Sequence, residues 1–316
     1  MEFIIAAIYL FHQVISSNVD LFYFFGIVMV LYSILKTKKT NKKVIVIVYL
    51  MLLYLMLQKI GNVDLDFFRA IINLSKISIC ILIMFLTYDN INKININKIL
   101  NISAIIVLFL WILSLTPKGI FLWRTNDIIN LYIQKRLKLF YYEPSELAFH
   151  LAVLNIFSFY NFIITKSRKS IFQLCIFTIC LALSAGYSGI ICMIISFITI
   201  YIIKHKINVK NVIKVIFFLI LISFVILGLM KTDNSLYLRT LDILNGQDGS
   251  GFYRINIGIN VMKESLIDSK FMGVGFCNSN TELFRMLYSY IGLIDVIANS
   301  FMYFLVETGT FGVVFL

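Results

Sequence analysis

Apolar residues run along this chain in long blocks, each closed by a short polar or charged stretch. Blocks at about 3–16, 19–35, 44–60, 67–88, 99–116, 144–165, 171–186, 188–203, 211–230 and 298–316 predict about ten helical spans. A ~30 Å hydrocarbon core takes about 20 residues of helix to cross. Val44 to Leu50 reads locally like a strand, but a bilayer-spanning strand alternates apolar and polar, and this run is apolar all round. The stretches 3–35 and 171–203 are each 33 residues, short for two full spans. Polar breaks at Ser16-Ser17-Asn18 and at Ser184-Ala185-Gly186-Tyr187-Ser188-Gly189 nevertheless predict a hairpin in each. Short or tilted helices meeting at such a turn are tolerated where they line a protein cavity. The expected fold class is all-α, a polytopic membrane protein forming one integral membrane domain over 1–316.

Composition agrees, with 60% hydrophobic and 14% charged residues and a mean hydropathy of +0.91. Soluble domains carry roughly 25% charged residues, so this chain lacks the polar surface to cover a water-facing globule. The start, Met1-Glu2-Phe3, has no basic leader or small-residue cleavage site, so the first block reads as retained rather than cleaved. The last block stops at Leu316 without a charged flank, which is what a fragment, or a protein lacking later spans, would show.

The net charge of +12 changes the picture through its distribution. Basic residues fall between apolar blocks rather than on one face, which argues against a nucleic-acid partner. The connectors 36–43, 89–98, 166–170 and 204–214 hold five, two, three and four lysines and arginines against the single acid Asp89. They share one side if the spans alternate. The positive-inside rule puts that side in the cytoplasm, which leaves a smaller loop at 117–143 and a large one at 231–297 outside. The large loop carries seven acidic and six basic residues, with helical stretches such as 254–267. Loops this long are usually functional. The expected location is a bacterial cytoplasmic (inner) membrane.

Cys80, Cys175, Cys180 and Cys192 lie in apolar blocks and Cys277 in the large loop, with neither metal-ligand spacing nor a disulfide framework. Three segments carry a resemblance. Arg136-Leu137-Lys138-Leu139-Phe140-Tyr141-Tyr142-Glu143-Pro144-Ser145 opens a span. Arg254 precedes Phe271-Met272-Gly273-Val274-Gly275-Phe276. Asn299-Ser300 leads to Glu307-Thr308-Gly309 and Gly312. In order and spacing, over roughly 130–316, these resemble the O-antigen polymerase and ligase superfamily of bacterial envelope glycosyltransferases. Ala298 stands where ligases carry a histidine, which puts polymerase ahead of ligase. The segment 183–189 also lacks the arginine that members often place after the serine.

The resemblance implies transfer of a glycan from polyprenyl pyrophosphate to a lipid-linked repeat unit outside the cytoplasm, in O-antigen, lipopolysaccharide or capsule synthesis. Implied partners are the polyprenyl-pyrophosphate-linked oligosaccharide, membrane lipids, a chain-length regulator and a flippase, with no metal or other cofactor. Displacing pyrophosphate builds negative charge on the leaving group, and the planar fork of arginine suits it. Arg136, Arg254 and, more weakly, Arg239 are the pyrophosphate candidates. The alternative for each, as for Arg124, is a headgroup-binding or snorkelling arginine.

Glu143 either caps a helix ahead of Pro144 or handles an acceptor proton. His150 is either a general base or a packing histidine. Glu307 sits about ten residues into the last span, where an ionisable group faces a cavity or a partner such as an arginine. Asn299 and Gly309 would shape the site. Asp64-Leu65-Asp66 reads as a metal-binding pair or a solvated loop. Arg69 and Lys76 would line the same cavity, and snorkelling explains Lys76 less easily than Arg69. Tyr141, Tyr142 and Tyr253 are candidates to stack on sugar rings. A flippase or transporter is the rival reading from another class.

Overall fold

A computed structural model describes residues 2–14, 20–37, 42–61, 67–89, 94–124, 135–205, 240–241, 244–245, 256–292 and 300–312. The described chain is mostly helical: α1 (Glu2–Phe11), α2 (Leu21–Thr37), α3 (Lys42–Gly61), α4 (Phe67–Asp89), α5 (Ile96–Ser114), α6 (Pro144–Thr165), α7 (Arg168–Ser184), α8 (Tyr187–His205), α9 (Gly258–Asp268), α10 (Glu282–Leu287) and α11 (Ser300–Gly312). A two-residue ladder, β1 (Trp123–Arg124) against β2 (Arg136–Leu137), is antiparallel and sets Trp123 opposite Leu137 and Arg124 opposite Arg136. Together with a 3₁₀ turn over Pro117–Leu122, it gives structure to part of the stretch expected as a loop.

Helix α5 shows what solvent these helices face. Ala104, Val107 and Leu110 are buried in protein, while Ile105, Phe109 and Ile112 on the opposite side are exposed. A helix apolar on both faces is stable only where lipid replaces water. Among the described residues four helices are long and apolar enough to cross a membrane: Phe67–Phe85, Ile96–Ser114, Pro144–Thr165 and Tyr187–Lys204. The protein is a helical membrane protein.

The chain divides into two compact units. The first, Met1–Phe25 with Asn92–Asp242, is built on α5, α6, α7 and α8, with α1 against α5. Phe159 and Phe197 stack in its core with ring centroids 4.0 Å apart. Polar side chains join its helices: Gln173 Nε2 donates to Asn101 Oδ1 at 2.7 Å, and Thr178 Oγ1 to Asn155 Oδ1 at 3.2 Å. Such bonds hold helices together where apolar burial cannot discriminate protein from lipid.

The break expected near residues 184–189 falls at Ala185, in the left-handed region at φ 48°. There α7 ends, and α8 resumes at Tyr187. Gly186 and Gly189 then press on α6, since a Cβ on either would lie 2.2 Å from Ala148 Cβ or 2.6 Å from Ala148 O.

The second unit is Gly26–Ile91 with Ile243–Leu316. It packs α3 on α4 and α9 on α11, the latter pair around Val261, Phe284, Tyr288 and Val306. Two expectations change. The block at 3–16 holds a helix that ends at Phe11, where His12 turns the chain and its carbonyl accepts from Leu21 N at 2.9 Å. The last block is not a continuous helix, because Gly309 breaks α11 at φ 63°, ψ −165°. The block at 211–230 lies outside the described residues.

Candidate functional site

In the second unit the site is built around the break in α11. A broken helix leaves carbonyls without intrahelical partners, and inside a membrane protein each must be satisfied. Here the segment 271–277 supplies them. Val274 N donates to Val306 O at 2.9 Å, Gly275 N to Glu307 O at 3.2 Å, and Thr310 N returns to Phe271 O at 3.0 Å. Two side chains of α3 complete the set, with Gln58 Nε2 donating to Glu307 O at 2.9 Å and Tyr54 OH to Thr308 O.

The approach is backbone to backbone. A Cβ on Gly273 would stand 2.5 Å from Glu307 O, and one on Gly309 would stand 2.2 Å from Phe271 O. Gly273 at φ 82° and Gly275 at φ 101° also occupy conformations that side chains rarely adopt. The Gly-Val-Gly turn and the Glu-Thr-Gly break, read as separate motifs in the sequence, thus form one junction.

Glu307 sits in that junction only 1% exposed. Ser279 Oγ donates to its Oε1 at 2.6 Å, and Tyr303 and the backbone around Cys277 and Ser279 supply further hydrogen bonds. Among the described residues these partners are hydroxyl and amide donors. Beside them Asn73 of α4 donates through Nδ2 to Cys277 Sγ. Burial pushes the Cys277 thiol up to about 11, and the charges of Glu307, Arg69 and Lys76 also act on it.

In the first unit the segment 136–150 is tied down locally. Arg136 Nε donates to Ser184 O at 3.0 Å and Nη2 to Ala185 O at 3.3 Å, capping the carbonyl end of α7. Glu143 is the N-cap of α6 in a reciprocal arrangement with Glu146. Its carboxylate also accepts from Ser145 Oγ at 2.9 Å and stands 3.6 Å from Arg124 Nη1.

His150 lies in an aromatic cage. Tyr141 stacks on it at 4.8 Å, with Tyr9 at 4.8 Å and His12 at 5.1 Å edge-on, and Asp20 Oδ2 lies 4.0 Å from His12 Nε2. Tyr141 is too buried to stack on a sugar, which corrects that expectation. Its hydroxyl donates to Tyr9 O at 2.8 Å, and burial holds the phenol well above its ordinary value. Tyr142 is exposed.

Arg239, Arg254, Asn299, Tyr253, Asp64 and Asp66 lie outside the described residues. Among the described residues no three His, Cys, Asp or Glu side chains stand together as a metal site. Sequence reasoning missed Tyr54 and Gln58, although a polar pair at i, i+4 in an apolar span was a visible signal. It also missed Asn73, whose spacing with Arg69 and Lys76 puts all three on one helix face. His12 beside His150 had no local signal. No family model, curated protein or solved structure matches the chain.

Proposed function

We propose that the chain is an integral membrane polysaccharide polymerase. It moves a growing glycan from its polyprenyl pyrophosphate carrier onto the end sugar of a lipid-linked repeat unit, on the extracytoplasmic side of a bacterial membrane. About ten spans with the 231–297 loop outside are part of this reading. The observation that carries it is the junction of the Gly273-Val274-Gly275 turn with the Glu307–Gly309 break, around a buried carboxylate. Those are the two segments whose sequences resemble the family's loop and following span.

In this reaction the acceptor hydroxyl oxygen bonds to the anomeric carbon as the bond from that carbon to the pyrophosphate oxygen breaks. The hydroxyl proton passes to a carboxylate. Glu307 is assigned that carboxylate because it stands in this junction, its Oε1 bonded to Ser279 Oγ, while Glu143 caps α6 and His150 packs against Tyr9 and Tyr141. Arg254 takes the leaving pyrophosphate, supported by Arg239, with Asn299 shaping the site. Two donor groups of Arg136 are committed to α7, which makes it the weaker ligand.

Deleting the encoding segment and running the surface glycan on a gel tests this. A ladder that collapses to one repeat is the expected result. Complete loss of surface glycan with accumulated lipid-linked polymer would instead identify a ligase. A flippase is the second reading, favoured by the broken α11 with an ionisable residue at the break, a device of transporters. Vesicle assays separate the two, since a polymerase moves no lipid across the bilayer.

A further inference from the structure

Where α5 begins and α6 ends, the first unit holds a cavity of about 520 Å³, within the roughly 300–1,000 Å³ of small-molecule sites. Its lining changes character along the helices. Phe157, Tyr160 and Ile164 recur at i, i+3 and i+7 on one face of α6 and are exposed at the protein surface. Phe157 stands roughly 12 Å before Thr165, at 1.5 Å per residue, most of the ~15 Å depth of one leaflet's hydrocarbon. Towards the ends of the two spans the lining turns to the amides of Asn95, Asn97 and Asn161. Two of them are held in place. Asn161 Nδ2 donates to Ser170 Oγ at 3.1 Å, and Asn95 Oδ1 accepts from Lys98 N at 3.0 Å. An apolar strip that ends in amides at the limit of two spans has the polarity profile of a lipid, tails inward and headgroup outward.

Charge decides which lipid. Four exposed cations, Lys98, Lys166, Arg168 and Lys169, lie within a few residues of the lining at these same helix ends. Glu2 offsets one of them, its Oε2 standing 3.9 Å from Lys98 Nζ. Basic pockets between spans take anionic headgroups. We infer that this cavity is a site for an anionic glycerophospholipid. Its phosphate meets the amides of Asn95, Asn97 and Asn161 with the cations around it, and its acyl chains lie along Phe157, Tyr160 and Ile164. The site does not depend on the polymerase reading.

Native mass spectrometry of the full chain in detergent, titrated with dioleoyl phosphatidylglycerol or dioleoyl phosphatidylcholine, tests this. One saturable phosphatidylglycerol is expected, bound on the order of tenfold more tightly than phosphatidylcholine, since one nearby cation alone is worth about fivefold at an anionic surface. Lys166→Gln with Arg168→Gln and Lys169→Gln should erase that preference and leave phosphatidylcholine binding unchanged. Asn97→Trp, which fills the cavity from an exposed position, should weaken both lipids.

On the unmodified protein, phosphatidylglycerol with a photoreactive acyl chain should label 157–164. Labelling elsewhere, or equal affinity for the two lipids, would overturn the site whether or not the variants fold. An unchanged preference in the folded triple variant would overturn the anionic assignment. Glycerol 3-phosphate that displaces the lipid would make the ligand a soluble phosphate, and a dimer that excludes lipid would give the cavity to a second copy of the chain. Either result removes the phospholipid.

Discussion

Gln58 concentrates several obligations in one side chain. Its Oε1 accepts from Phe276 N at 3.2 Å, while Nε2 donates to Glu307 O and, at 3.2 Å, to Tyr54 OH. Gln58→Leu keeps the bulk but strands Phe276 N in a buried place, which costs about 1–3 kcal/mol. The melting midpoint in detergent should fall, and in Gln58→Glu, whose carboxylate faces the Glu307 carbonyl instead of donating to it, it should fall at least as far. Glu307→Gln separates charge from shape. Polymer synthesis should be lost and the midpoint should fall, since an amide nitrogen cannot accept from the donors around it; polymer of normal length in this variant would remove Glu307 from the chemistry.

Cys277 reports on the same junction. With its thiol pushed up to about 11 by burial, the thiolate is scarce at neutral pH and alkylation, which needs it, is slow. In a variant with Cys277 as sole cysteine, maleimide labelling should accelerate about tenfold per pH unit between 8 and 10. A rate already flat above pH 9 would mean the thiol is not held in this environment. The stabilisation linked to the raised value is complete below the ordinary thiol range near 8.5 and fades as pH climbs towards 11.

Two close approaches decide whether the elements can assemble. Gly309 combines φ 63° with ψ −165° and a Cβ position 2.2 Å from Phe271 O. Gly309→Ala adds backbone strain of about 1–3 kcal/mol to that clash, so folded yield and midpoint should both drop. Between α6 and α8, Gly189→Leu should drive the helices apart at Ala148. At Gly186 the obstacle is instead the Ala148 Cβ, 2.2 Å from a new Cβ, so the loss of yield in Gly186→Ala should be partly restored by Ala148→Gly.

Element boundaries were legible in sequence wherever an apolar block ended in charge. The block at 67–88 became Phe67–Asp89, and 144–165 became Pro144–Thr165. Glu143 was legible as a cap from the Pro144 that follows it, but Arg136 was not, because the carbonyls of Ser184 and Ala185 come from a helix 48 residues away. His12 beside His150, and Gln58 beside Glu307, are long-range meetings that no local pattern encodes. The break in α11 lay inside an apolar block, marked by Glu307-Thr308-Gly309, but nothing local says which residue breaks the helix.

At the scale of the whole molecule, the lysine-rich connectors predict sidedness. Single cysteines placed at 38 and 206 should react with an impermeant reagent only after the membrane is opened, and one at 248 in intact spheroplasts. Residue 248 labelled only from the cytosolic side would remove both the external loop and the chemistry assigned to it.

The second unit is also discontinuous, since Gly26–Ile91 waits for Ile243–Leu316. Glu307 is made 249 residues after its partner Gln58. At about 5–20 residues per second that delay is on the order of tens of seconds. Through that interval the newborn α3–α4 pair carries Tyr54, Gln58 and Asn73 with their partners still unwritten on the ribosome. Biogenesis therefore has to shelter this hairpin, through the insertion machinery or a membrane chaperone. Premature termination ahead of residue 271 should consign it to quality-control proteolysis.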